Sequence, residues 1–170
     1  HYTSPEIATQ VMSALQQMGF QDGRILEPGM GIGLFFGSMP SGMAANSART
    51  GVELDPITGR IAKQLFQTAD VRIESYGDTI LPDNFYDAVI GNVPFGDFKV
   101  HDPRYNKDNL SIHNYFIVKS LDKLRPGGLM GVITSHYTLD SVNSKPRQLM
   151  ADRADLVGAI RLPYTAFKSF

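Results

Sequence analysis

Residues 86–91 run Tyr-Asp-Ala-Val-Ile-Gly into Asn92-Val93-Pro94-Phe95, so an amide, a proline and an aromatic ring stand at the end of an apolar stretch. That combination suits one chemistry. The exocyclic amino nitrogen of a base is a poor nucleophile because its lone pair is delocalised into the ring. Alkylating it takes acceptors that hold both N–H bonds and draw the nitrogen toward tetrahedral geometry. The Asn92 amide oxygen provides one acceptor and the Val93 backbone carbonyl the second, stiffened by Pro94, which fixes its own φ and restricts its predecessor. Phe95 offers a flat face on which an extruded base can stack, worth about 1–3 kcal/mol. Positioning and stabilisation of developing charge are then the whole of the catalysis, with direct in-line attack on an activated methyl. The chain has no cysteine. That removes the thiolate needed to methylate a cytosine ring carbon, along with disulfides and thiolate metal sites. The four histidines, at 1, 101, 113 and 136, lack ligand spacing, so no metal is expected, and His113 and His136 read as structural.

A methyl donor must sit beside this tetrad. Glu27-Pro28-Gly29-Met30-Gly31-Ile32-Gly33 follows an earlier apolar run and reads as a glycine turn that lets backbone come close to a ligand. Glu27 decides which ligand. A carboxylate there repels a pyrophosphate and attracts the ammonium and sulfonium charges of S-adenosylmethionine. Glu53, at the end of the run 49–54, stands where doubly wound folds accept hydrogen bonds from ribose hydroxyls. Asp55-Pro56 reads instead as the cap and first turn of a helix. Asp78, in Tyr76-Gly77-Asp78-Thr79, is placed to accept from an adenine amino group. Pro28, Gly29, Gly31, Gly33, Leu54 and Thr79 complete the expected cofactor contacts with Asn92, and Met30, Met39 and Met43 read as filling space around the loop.

The elements that must carry these residues follow from the hydropathy pattern. Strands are predicted at 24–27, 49–54, 71–75, 86–91, 129–135 and 156–161, alternating with helices that begin at Pro5, Pro56, Ile112 and Lys145. Thr3-Ser4-Pro5-Glu6 supplies a hydroxyl cap and a proline in the first turn, Gly19 ends that helix, and Arg125-Pro126-Gly127-Gly128 stops the third. The expected architecture is α/β, a doubly wound and mostly parallel sheet with cofactor and base meeting above the carboxyl ends of the first four strands. At 170 residues and 42% hydrophobic content the chain has the size of one domain, and the break after the last strand suggests a fragment of a larger protein, truncated at the C-terminus. No apolar run approaches the roughly 20 residues that span a bilayer, and there is no secretory pattern, so a cytoplasmic protein is expected. The net charge of −1 neither suggests nor excludes a polyanion as partner. The aperiodic stretch 96–111 carries Lys99, His101, Arg104 and Lys107 among Phe98 and Tyr105. It reads either as a loop closing over DNA or as a solvated, mobile loop.

These motifs together resemble the amino-group DNA methyltransferases whose cofactor motifs precede the catalytic motif, including modification subunits of type I restriction systems. Tyr2-Thr3-Ser4-Pro5-Glu6 resembles that family's N-terminal cofactor motif, which adds Tyr2 and Thr3 to the expected cofactor contacts. The chain departs from the family at Val93, where proline is usual. The segment Ile112-His113-Asn114-Tyr115-Phe116 is also similar to methyltransferase segments of large mobile-element proteins that carry helicase domains. The resemblance implies methylation of adenine at its amino nitrogen in DNA, on a flipped base, with further domains or subunits reading the target. It also implies an aromatic, Tyr164 or Phe167, near that base. Methylation of an RNA base or a protein glutamine amide, and a degenerate fold serving only as a binding module, remain the alternatives.

Overall fold

The structure, a computed structural model, describes residues 3–167. Helix α1 (Pro5–Gln17) starts where the Ser4 hydroxyl accepts from the Ile7 N–H, and it ends before Gly19, which adopts the left-handed φ of 99° that closes a helix. Strand β1 (Arg24–Pro28) leads through the glycine turn into the short helices α2 (Leu34–Gly37) and α3 (Ser41–Asn46). Strand β2 (Ala48–Glu53) is followed by α4 (Pro56–Leu65), capped by the Asp55 carboxylate as its Asp-Pro start requires. Then come β3 (Asp70–Ile73), β4 (Tyr86–Asn92), α5 (Ile112–Lys123), β5 (Leu124–Ile133), α6 (Tyr137–Asp140), α7 (Lys145–Ala151) and a 3-10 turn at Tyr164–Phe167.

The five strands form one parallel sheet in the order β3-β2-β1-β4-β5. The chain winds outward from β1 to β3 and then returns to place β4 on the other side of β1. The strand order therefore switches between β1 and β4, where open α/β sheets leave a crevice at their carboxyl ends. The period-two alternation of the central strands sorts the core into two layers. Ile25, Ala88 and Ile90 point toward Met12, Leu15 and Phe35, while Leu26 and Val89 point toward Tyr115 and Val118 of α5. Met30, Met39 and Met43 are buried in the first layer, as space-filling residues should be. Among the described residues no helix is long and apolar enough to cross a membrane.

Two expectations are corrected. The Arg125-Pro126-Gly127-Gly128 segment does not separate helix from strand: β5 begins at Leu124. Tyr86 pairs with Leu124 and Ala88 with Leu129, so the extra residues bulge out of the ladder, with Gly127 at φ 78° and the Arg125 guanidinium on the Asp87 carboxylate. The segment 156–161 forms no strand. An extended apolar run becomes a strand only when a neighbour completes its hydrogen bonds, and Leu156, Val157 and Ile160 are instead exposed without a ladder partner.

Candidate active site

The glycine turn is built on left-handed backbone, with Gly29, Gly31 and Gly33 at φ 65°, 57° and 87°. A side chain at any of them is strained, and at Gly33 it also has no room, because an added Cβ would stand 2.3 Å from the Phe66 ring. Gly33→Ala is expected to lose about 1–3 kcal/mol of stability in urea denaturation. Gly31→Ala, with nothing within 4 Å of the added Cβ, should lose only the roughly 1 kcal/mol of left-handed backbone strain.

Glu27 lies beneath this turn, 2% exposed, and its Oε2 has no hydrogen-bond partner among the described residues. Burial pushes its carboxyl well above the ordinary 4.5; the Phe36 N–H opposes that rise and the nearby Glu53 charge adds to it. Glu53 straps the turn to β2: its Oε2 accepts from the Gly31 N–H at 2.7 Å and its Oε1 from the Asp55 N–H at 2.9 Å. The expected ribose acid is thus already held in position by backbone. Leu54 beside it is 70% exposed, an apolar surface at the mouth of the crevice. Asp78 is exposed in its turn, whereas Thr79 is buried and donates its hydroxyl to the Ser75 carbonyl at 2.8 Å, shaping the turn around Asp78.

The tetrad meets the turn directly. A Cβ built on Gly29 would lie 3.5 Å from the Pro94 ring, and one on Gly91 would lie 3.4 Å from Glu27 Cγ. Val93 is buried and its N–H donates to the Ile133 carbonyl, tying the tetrad to β5. Phe95 is half-buried. The Asn92 Nδ2 donates to the Thr3 hydroxyl at 2.8 Å, a contact between residues 89 apart in the chain, while Asn92 Oδ1 is buried without a partner among the described residues. Glu27, Pro28, the glycines, Glu53, Asn92, Pro94 and Thr3 therefore form one cluster above the switch between β1 and β4. Asp78 and Thr79 lie in the turn after β3, and Leu54 directly follows β2. Tyr2 lies outside the described residues. Tyr164 is fully exposed, and Phe167 packs against the core layer that contains Met30 and Ile133.

Several contributors escaped the sequence reading. Phe116 of α5 lies against the turn, its Cε1 3.4 Å from a Cβ built on Gly29. Lys119 and Lys123 of α5 are each 1% exposed. Lys119 donates to the Tyr76 carbonyl at 2.5 Å and pairs with Asp102 at 3.0 Å; Lys123 donates to the Leu81 carbonyl at 2.7 Å and pairs with Asp83 at 2.8 Å. The available signal was a pair of lysines spaced i, i+4 in a helix that carries the apolar run Tyr115-Phe116-Ile117-Val118 just before them. The stretch 96–111 is accordingly not a wholly solvated loop. Asp102 and Asn106 are buried, and a Lys99–Ser111 bridge closes its base. His113 is buried, with Nε2 3.2 Å from the Ser111 hydroxyl and Nδ1 without a partner among the described residues.

These groups set a pH dependence of opposite sign on the two sides. Glu27 holds its proton more tightly in the folded chain, so its contribution to stability is complete below about 4.5 and is lost as pH rises through its elevated value. Burial also works against the carboxylates of Asp83, Asp87 and Asp102, but hydrogen bonds and cationic partners outweigh it and hold all three below 3.8. Their contribution is present above 3.8 and is lost as pH falls through the lowered values. Urea melts of the cofactor-free chain are expected to weaken as pH falls through the lowered aspartate values and as it rises through the elevated Glu27 value. The loss on the alkaline side should disappear in Glu27→Gln.

A parallel sheet with this strand order, a glycine turn after β1 and an acid ending β2 define the fold of the S-adenosylmethionine-dependent methyltransferases. The buried, unpartnered carboxylate oxygen of Glu27 fits the ammonium end of that cofactor. The chain belongs to the Eco57I restriction-modification methylase family, whose family model matches residues 59–167. Among curated proteins it is 32% identical over 173 residues to Defense against restriction protein B of Escherichia phage P1, covering 98% of this chain and 8% of that protein. It is 26% identical over 149 residues to the rRNA N(6)-adenosine-methyltransferase metl-5 of Caenorhabditis elegans, covering 82% of this chain and 65% of that one. The chain thus spans less than two thirds of either relative. The type I restriction-modification methyltransferase subunit of Streptococcus thermophilus superimposes with a TM-score of 0.70 at 18% identity, over 89% of this chain and 38% of that one. A TehB-like methyltransferase of Corynebacterium glutamicum superimposes with a TM-score of 0.56 at 17% identity, over 85% and 70%.

Proposed function

We propose that this domain transfers a methyl group from S-adenosylmethionine to the exocyclic amino nitrogen of adenine in DNA. The observation that carries the reading is the Asn92 side chain: its amide nitrogen is fixed by Thr3 and its oxygen is buried with no partner among the described residues, one residue beyond Gly91, which packs on Glu27. A buried acceptor left open costs about 1–3 kcal/mol, which a substrate N–H would recover. S-adenosylmethionine supplies a methyl on a sulfonium centre. Glu27 would bind its ammonium group, Glu53 its ribose and Asp78 its adenine amino group, with Leu54 against the ring. Asn92 Oδ1 and the Val93 carbonyl would hold the two acceptor N–H bonds, Pro94 would keep that carbonyl directed, and Phe95 would stack on the extruded base. The nitrogen forms its bond to the methyl carbon as the carbon–sulfur bond breaks, and the displaced proton leaves to solvent.

DNA is favoured over other acceptors by membership of a restriction-modification methylase family. Further domains or subunits would read the target, and a cytoplasmic location accords with that substrate. The likeness to a ribosomal RNA adenosine methyltransferase supports a second reading in which the adenine lies in RNA. Tritiated S-adenosylmethionine offered with plasmid DNA, ribosomal RNA or protein separates the readings. Label is expected in DNA adenine; label confined to RNA would favour the second reading, and label in protein, or in none of the three, would refute both.

A further inference from the structure

The two lysines of α5 join segments that approach the crevice from opposite sides. Lys119 Nζ donates to the carbonyls of Tyr76 and Thr79 at 2.5 and 3.5 Å, which bracket Asp78, and pairs with Asp102 at 3.0 Å. Asp102 in turn holds the loop after the tetrad: its Oδ1 accepts from the N–H groups of Arg104 and Tyr105 at 3.0 and 3.1 Å, and its Oδ2 also accepts from the Tyr115 hydroxyl at 2.6 Å. One turn further along α5, Lys123 repeats the pattern, bonding the Leu81 carbonyl, Asp83 and the Tyr105 hydroxyl. The two segments also touch directly, since a Cβ on Gly77 would stand 2.8 Å from Val100 and 3.2 Å from the His101 carbonyl. Such a buried pair is a costly way to hold a helix, and packed hydrocarbon often does as well. What this one adds is a rigid link between the turn carrying Asp78 and the loop leaving Phe95.

We propose that Lys119 and Asp102 are positioning residues that couple the cofactor's adenine subsite to the acceptor side of the crevice, so that filling the turn around Asp78 slows the opening of residues 97–110. The inference rests on the proposed reading of that turn as a cofactor contact. It gives the two sites a common fate: a loop already held by Asp102 at the acceptor side is steadied further when the donor is bound, as a link between two sites through a shared packed element allows.

Hydrogen–deuterium exchange of the chain with and without saturating S-adenosylhomocysteine tests it. In the wild type, exchange across 97–110 is expected to slow by about fivefold or more on binding. Combining Lys119→Met with Asp102→Asn removes both buried charges together, and that variant is expected to bind S-adenosylhomocysteine while its loop slows by less than about twofold. Tyr115→Phe, which deletes one bond to Asp102 and buries no charge, is expected to fall between the two and decides the matter if the double variant does not fold. Equal slowing in wild type and variants would overturn the coupling, as would binding that leaves the wild-type loop unchanged. A wild-type chain that binds no S-adenosylhomocysteine would overturn the proposed function and this inference with it.

Discussion

Asn92→Ala is expected to lower methyl transfer by roughly 10²–10³-fold, the effect of deleting one group that stabilises developing charge at a reaction centre. Because Glu27 and the glycine turn are untouched, S-adenosylhomocysteine should still bind within about threefold of wild type, the range expected when no direct bond to a charged group is lost. The fold should survive, since among the described residues Asn92 contributes one side-chain bond, to Thr3, and its other polar atom has no partner. Asn92→Asp refines the test. The carboxylate keeps an acceptor but loses the Nδ2 donor, and Thr3 must turn its hydroxyl round to donate. Activity is therefore expected to fall less than in the alanine variant. Equal loss in both would mean that the Nδ2 donor, not the open oxygen, is what matters.

Glu27→Gln is expected to weaken cofactor binding by roughly 10²-fold, the loss of one charge-assisted hydrogen bond to an ammonium group. The same change should stabilise the cofactor-free chain at neutral pH. A carboxylate that is 2% exposed with one oxygen unpaired is held against its own desolvation. An amide of the same shape relieves that and costs only binding. Calorimetric titration with S-adenosylhomocysteine beside urea melts reads both effects. Opposite signs are the signature of a residue kept for its ligand; a variant that binds normally, or that loses stability, would place Glu27 among the structural groups.

Much of this site was legible in the sequence because strand ends announce themselves. Apolar runs finishing in Glu27-Pro28-Gly29, Glu53-Leu54-Asp55 and Gly91-Asn92 locate the carboxyl edge of a parallel sheet, and chemistry at such an edge needs acids and amides whatever the rest of the fold. The Asp55 and Ser4 caps were readable for the same local reason. What escaped depended on distant partners. A Pro-Gly-Gly sequence signals a stop, and only the pairing of Leu124 with Tyr86 turns it into a bulge. The apolar alternation at 156–161 marks strand propensity, yet a strand exists only where another strand receives it. Glu53 was assigned to a ribose, and nothing in its neighbourhood tells that it already bonds Gly31, 22 residues away in the chain. Lys119 reads as a solvated helix residue until the turn that begins 43 residues earlier closes over it.

A buried amide oxygen that holds an amino nitrogen beside the methyl donor is directly visible in a crystal structure of the chain with sinefungin and an oligonucleotide carrying an extruded adenine. Asn92 Oδ1 is expected within about 3 Å of the adenine amino nitrogen, hydrogen-bond distance for such a pair, with the sinefungin ammonium on Glu27. An Asn92 side chain turned away from the base, or a crevice above the glycine turn filled by protein, would contradict it.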